Sequence, residues 1–113
     1  MAKTLNFNNI KKQYLTVTLA DENQTTLLIG TPTKAIMGDL MLLKSNLEKI
    51  NDAEMDRDVM SDIYGCCANI MSRNKAGIKI DKKLLERIFD VEDVLLFFTA
   101  YVDFVSELAT SKN

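Results

Sequence analysis

Side chains that perform chemistry are scarce in this chain. It has no histidine, and no glycine-rich loop of the kind that cradles phosphate. No pair of residues offers a base and a nucleophile at a recognisable spacing. The sequence therefore predicts a binding protein rather than an enzyme, with no catalytic residue, no cofactor and no metal.

Cysteine is also scarce, since the chain has only the adjacent pair Cys66 and Cys67. Such a pair does not form a disulfide framework, which favours a reducing compartment. Within a helix the two side chains point about 100° apart, and no further cysteine or histidine exists to complete a zinc site. We interpret both as small buried residues rather than active thiols.

Long apolar runs are missing as well. No stretch approaches the roughly 18 apolar residues of a membrane span, and the first residues lack the apolar core of a signal peptide. The net charge of −2 argues against a general polyanion binder. We expect a cytoplasmic protein that binds no membrane and for which nucleic acid is an unfavoured partner.

The length of 113 residues, 47% of them hydrophobic, predicts a single domain with a real core. Its expected parts are a flexible polar and basic arm at 1–13, a β-hairpin at 14–30 and a helical part at 32–109. The predicted fold class is α+β, mostly α-helical with three to four helices.

The hairpin prediction rests on a period of two. Apolar residues alternate with polar ones in 14–20, and a turn-like segment leads to a second strand at 25–30. The side chains expected on the inner face of the first strand are Leu15, Val17 and Leu19. Two strands alone are marginal in water, so the hairpin must pack on helices or on another subunit.

Helical spacing begins after Gly30. Thr31 before Pro32 predicts an N-cap followed by proline at the first helical position. The apolar face of this first helix is expected at Ile36, Leu40, Leu43, Leu47 and Ile50.

A second predicted helix starts at a capping box formed by Asn51 and Glu54. It ends near Arg73–Asn74 or Gly77. Its expected inner side consists of Met55, Val59, Ile63, Cys66, Cys67 and Ile70.

Two further helices are predicted after that. Asp81 should cap a short helix that runs from Lys82 to about Phe89. Asp90 should start the last helix, with Asp93 at the third position and a hydrophobic staple between Phe89 and Val94.

The acidic residues around 52–62 resemble a calcium loop only superficially. Counted from Asp52, the sixth position holds Arg57 where glycine is needed, and the twelfth holds Ile63 where glutamate is needed. We interpret these acids as the polar start and solvated face of a helix.

A basic segment spans 73–87, with Arg73, Lys75, Lys79, Lys82, Lys83 and Arg87. Nucleic-acid binding would require stacking aromatics or a recognition helix beside it, and the span has neither aromatics nor such a signal. We interpret the segment as a solvated or partner-facing patch. A small DNA-binding regulator remains an alternative, which salt-dependent DNA binding would reveal.

The last helix carries the strongest functional signal because it has more apolar surface than one core contact needs. Its expected buried face comprises Val91, Val94, Leu95, Phe98, Tyr101, Val102, Val105 and Leu108. Phe97 and Phe104 are expected together on an outward flank, with Leu96 further around. The candidate partner-binding residues are Phe97, Phe104, Leu96 and Tyr101; the alternative is that this flank only completes the core.

This layout resembles the small tail assembly chaperones of long-tailed phages and prophages. The resemblance lies in the hairpin at 14–30, the Leu/Met-rich helix at 36–50 and the capped aromatic helix at 89–108, and it involves no diagnostic motif. It implies a non-enzymatic protein that binds the tape measure protein, helps to recruit tail-tube protein subunits and is absent from the finished virion. In many such phages a longer, frameshifted form exists beside the short one.

Two partner expectations accompany the resemblance. A groove of Leu, Met and Phe would bind the helices of a tape measure protein adaptably. Open strand edges and surplus apolar surface predict a homo-oligomer. A structural tail adaptor or completion protein retained in the virion would have the same composition, and only its presence in mature particles separates the two.

Overall fold

The computed structural model describes residues 12–19, 21–49 and 57–110. Within them the chain forms one antiparallel hairpin followed by four helices, which confirms the α+β, mostly helical class. The bounds are Leu15–Thr18 (β1), Thr26–Ile29 (β2), Lys34–Lys49 (α1), Arg57–Met71 (α2), Lys82–Ile88 (α3) and Val91–Thr110 (α4). Residues 1–11, 20, 50–56 and 111–113 lie outside the described residues. With them lie most of the predicted arm, the predicted Asn51–Glu54 capping box, and the predicted inner residues Ile50 and Met55.

The hairpin alternates as predicted. β1 and β2 pair with Leu15 opposite Ile29 and Thr18 opposite Thr26. The inner face buries Leu27 and Ile29, whereas the threonines of both strands are exposed. At the turn, the carboxylate of Asp21 accepts hydrogen bonds from the amide and the hydroxyl of Thr25, at 2.9 and 2.7 Å. These bonds lower the pKa of Asp21.

The outer edge of β2 is attached to the chain that follows α2. The amide of Gly30 donates to the carbonyl of Arg73 at 3.2 Å, and the amide of Lys75 donates to the carbonyl of Leu28 at 2.8 Å. Buried Asn74 shapes this connection, because its side chain donates to the carbonyl of Met71 and accepts from the amide of Ile78, both at 2.9 Å. A buried amide satisfied in this way fixes the local chain path.

Helix α2 lies at the centre of the core and contacts α1, α3, α4 and β2. Its buried side chains are Ile63, Tyr64, Cys66, Cys67, Ala68, Ile70 and Met71. The predicted inner residues of α1 are buried or half-buried at Ile36, Leu40, Leu43 and Leu47. Long-range packing on α2 therefore brings the hairpin and the last helix onto one body.

Two predicted helix ends were wrong. α1 begins at Lys34 rather than at Pro32, because the hydroxyl of Thr33, not of Thr31, accepts from a free amide of the first turn, that of Ile36, at 3.3 Å. α2 ends at Met71, before the predicted stop, because the chain turns there to hydrogen-bond with β2.

The predicted start of α3 is confirmed. The carboxylate of Asp81 accepts from the amide of Leu84 at 2.8 Å. The helix ends at Ile88, and Phe89 has an extended backbone that leads directly to α4.

Candidate partner-binding groove

The start of α4 is a reciprocal capping box. The carboxylate of Asp90 accepts from the amide of Asp93 at 2.8 Å, and the carboxylate of Asp93 accepts from the amide of Asp90 at 3.1 Å. Phe89 and Val94, the predicted staple pair, are both buried. These contacts confirm the predicted cap and fix the angle at which α4 passes the hairpin.

Tyr101 attaches the middle of α4 to the end of β2. Its side chain is fully buried, and its hydroxyl donates to the carbonyl of Gly30 at 2.8 Å. Its ring stacks on Phe97, with 6.1 Å between centroids, and contacts the tilted ring of Phe104 at 5.9 Å. Burial raises the pKa of Tyr101 to about 12, although nearby Arg73 acts in the opposite direction.

The four candidate residues of α4 have different environments. Tyr101 is 0% exposed and Phe97 only 6%, so both belong to the core. Phe104 is half-buried, and Leu96 is 70% exposed. The expected outward flank was therefore wrong for Phe97.

The burial of Phe97 has a physical cause. α4 packs on α2, and it also meets the hairpin where Tyr101 bonds to Gly30 and Phe97 lies beside β1, so its buried surface is wider than a single stripe. Val91, expected in the buried face, is instead 49% exposed at the first position of the helix.

An open groove of about 300 Å³ lies between β1 and α4. Its lining residues are Leu15, Thr16, Val17, Thr18, Phe89, Asp93, Leu96, Phe97 and Ala100. Among the described residues the lining is mainly apolar, and the one charged side chain there, Asp93, is already engaged in the helix cap. The groove can therefore hold apolar side chains of a partner, and Leu96, at 70%, is the most exposed large apolar side chain of its described lining.

Another exposed apolar surface, formed by two neighbouring side chains, lies on α1. Met41 and Leu42 are 51% and 62% exposed. Sequence reasoning did not single them out, although both stand outside the predicted apolar stripe of that helix. The signal that could have found them is the unbroken apolar run from Leu40 to Leu43, which is wider than one helical face.

The two thiols are buried, as predicted. Burial raises the pKa of Cys66 to about 11, with a smaller contribution from the carboxylate of Asp39. Burial also raises the pKa of Cys67. Thiols with raised pKa values are poor nucleophiles at neutral pH, which fits a packing role.

Part of the basic segment is held by contacts within the chain. The ammonium of Lys82 donates to the hydroxyl of Ser61, and Arg73 Nε donates to the carbonyl of Thr31 at 3.2 Å. The ammonium of Lys75 lies 5.6 Å from the centre of the Tyr14 ring. These three cations therefore help to position the fold.

The described residues contain no group of three or more histidine, cysteine or acidic side chains placed to hold a metal ion. Asp58 and Asp62, the described members of the acidic run, are exposed on α2. None of the helices in 34–49, 57–71, 82–88 and 91–110 has the length and hydrophobicity to cross a membrane.

Comparisons of the chain with protein-family models, with curated proteins and with solved structures give no match.

Proposed function

We propose that this chain is a tail assembly chaperone of a long-tailed phage or prophage. In this role it binds the tape measure protein in the host cytoplasm and helps to recruit tail-tube subunits, and it leaves before the particle is complete. The observation that carries the proposal is the apolar groove between β1 and α4, with Leu96 exposed on its wall. The order of hairpin, Leu/Met-rich helix and capped aromatic helix, on which the resemblance rests, supports it further.

The shape of the groove suits a helical partner. A helix presents a row of apolar side chains at spacings of three and four residues, and an apolar groove can bind that row. A volume of about 300 Å³ accommodates a few side chains rather than a whole helix. Each copy would therefore bind a short stretch of the tape measure protein, and many copies would coat its length.

The environment of the groove supports reversible binding. Leu96 projects from a helix held by the capping box and by Tyr101, so the wall is formed before the partner arrives. A preformed apolar site loses little conformational entropy on binding. It binds by hydrophobic contact without a covalent or metal-dependent step, so later tail-tube subunits can displace it.

The proposal is tested by co-expressing the chain with the tape measure protein of the same tail gene cluster. We expect the two proteins to co-purify, and we expect purified mature particles to lack this chain. Failure to co-purify, in cells where tails assemble normally, would contradict the proposal. Stoichiometric presence in mature particles would favour the retained adaptor instead.

A further inference from the structure

The two edges of the hairpin differ. The outer edge of β2 is hydrogen-bonded to the segment around Asn74. Among residues 12–19, 21–49 and 57–110, none pairs with the outer edge of β1. An unpaired strand edge presents amides and carbonyls that can pair with another chain.

The register identifies which groups face this edge. The amide of Leu19 donates to the carbonyl of Thr25 at 2.8 Å, so these two residues form a hydrogen-bonded pair of the ladder. Pairs alternate along an antiparallel ladder, so Val17 also bonds to β2 while Thr16 and Thr18 do not. The amides and carbonyls of Thr16 and Thr18 therefore point away from β2.

Within the described residues, β1 protects its edge only by being short, at four residues. Its sequence is Leu-Thr-Val-Thr, without a charge, a proline or a glycine. Natural proteins normally place lysine, proline or a bulge on such an edge to prevent pairing. An edge of threonine and β-branched residues is instead well suited to extending a sheet.

We propose that β1 pairs with β1 of a second copy of this chain, forming a continuous four-stranded antiparallel sheet. In the register centred on Val17, Thr16 lies opposite Thr18 of the second copy, and their outward backbone groups are matched. The same register brings Lys12, which is exposed, towards exposed Glu22 of the second copy. Each of these contacts occurs twice because the pair is symmetric.

The pairing would also join the two grooves. Residues that face each other across an antiparallel ladder point to the same side of the sheet, so α4 of both copies lies on one side. The two β1 strands would form the floor of a single apolar trough, with Leu96 of each copy on its walls. Self-association does not depend on the proposed function, and its test uses no tape measure protein.

Thr16→Pro tests the pairing with little expected harm to the hairpin. Proline removes an amide that points outward and is tolerated on strand edges that face solvent. Thr16→Val is the matched control, because it keeps the amide and removes only the hydroxyl. By symmetry, Thr16→Pro removes two intermolecular hydrogen bonds, so the dimer dissociation constant should rise by about tenfold or more.

The measurement is analytical ultracentrifugation over a wide concentration range, with circular dichroism to confirm folding. We expect a dimer for the unchanged chain and for Thr16→Val, and a shift to monomer for Thr16→Pro. A monomer at every concentration for the unchanged chain would overturn the proposal and leave the edge to another occupant, such as residues 1–11 or a different protein. A folded Thr16→Pro variant that dimerises normally would overturn it as well.

A cysteine cross-link decides the question even if Thr16→Pro fails to fold. The proposed register puts Val17 opposite itself in a non-hydrogen-bonded pair, where Cα atoms lie about 4.5 Å apart and a disulfide can form. Val17→Cys should give a covalent dimer on mild oxidation, whereas Asn23→Cys at the hairpin turn should not. Equal cross-linking of both variants, or none at Val17→Cys, would contradict the register.

Discussion

At the scale of single residues, the carboxylates of Asp90 and Asp93 each accept from the other's amide and so define the start of α4. This capping box involves residues only three apart, so it could be predicted from the sequence, and the structure confirms it. The exposure of Phe97 depends on the hairpin, which is far away in sequence. Helical periodicity places Phe97 on a flank of α4 but does not say whether another element covers that flank.

Asp90→Ala should destabilise the protein by about 0.5–2 kcal/mol, because the amide of Asp93 loses its acceptor. Urea unfolding monitored by circular dichroism measures the change. Asp90→Asn is the control, since asparagine caps nearly as well and should retain most of the stability. Equal loss in both variants would mean that charge at the helix end, rather than the capping bond, stabilises this start.

At the scale of the elements, the two strands and the four described helices were predicted, but not how they meet. The start of α1 was wrong by two residues because Thr31 and Thr33 are equally plausible caps, and only Thr33 accepts the bond. Backbone hydrogen bonds of Arg73 and Lys75 hold the hairpin to the chain after α2, and the Tyr101 hydroxyl holds it to α4 by one bond to the carbonyl of Gly30. Such contacts have no periodic signature, so sequence reasoning could not find them.

Because buried Tyr101 hydrogen-bonds to the hairpin, we predict that the protein loses stability at alkaline pH. Burial raises the pKa values of Cys66 and Tyr101 to about 11 and about 12 in the folded chain. At high pH the unfolded chain releases these protons first, so the folded state binds more protons and stability falls as the pH rises. The free energy of unfolding should therefore decline between about pH 9 and pH 12, and these groups contribute no such decline below that window.

Denaturant unfolding at a series of pH values measures this decline. Tyr101→Phe is the informative variant, because it removes the phenol and should make the upper part of the decline less steep. It should also be less stable at neutral pH, since the carbonyl of Gly30 loses its donor. An unchanged pH profile in Tyr101→Phe would show that other groups govern alkaline unfolding.

At the scale of the whole molecule, the sequence predicted that the last helix has more apolar surface than packing against one neighbouring element would bury. The structure divides that surface in two. Phe97 and Tyr101 fill the space against the hairpin, and Leu96 remains on the wall of the groove. The groove lies where β1 and α4 come together. That arrangement depends on tertiary contacts and could not be predicted from the sequence.

The central claim, that this groove binds the tape measure protein, is tested most directly by comparing Leu96→Glu with Leu42→Glu. The two leucines are 70% and 62% exposed on different helices, so the same substitution should leave stability within about 0.5 kcal/mol at either site. The measurement is the dissociation constant for the tape measure protein by isothermal titration calorimetry. We predict weakening of about tenfold or more for Leu96→Glu and little change for Leu42→Glu. Unchanged affinity in a folded Leu96→Glu variant would contradict this claim. Loss of affinity in Leu42→Glu would then place the binding surface on α1.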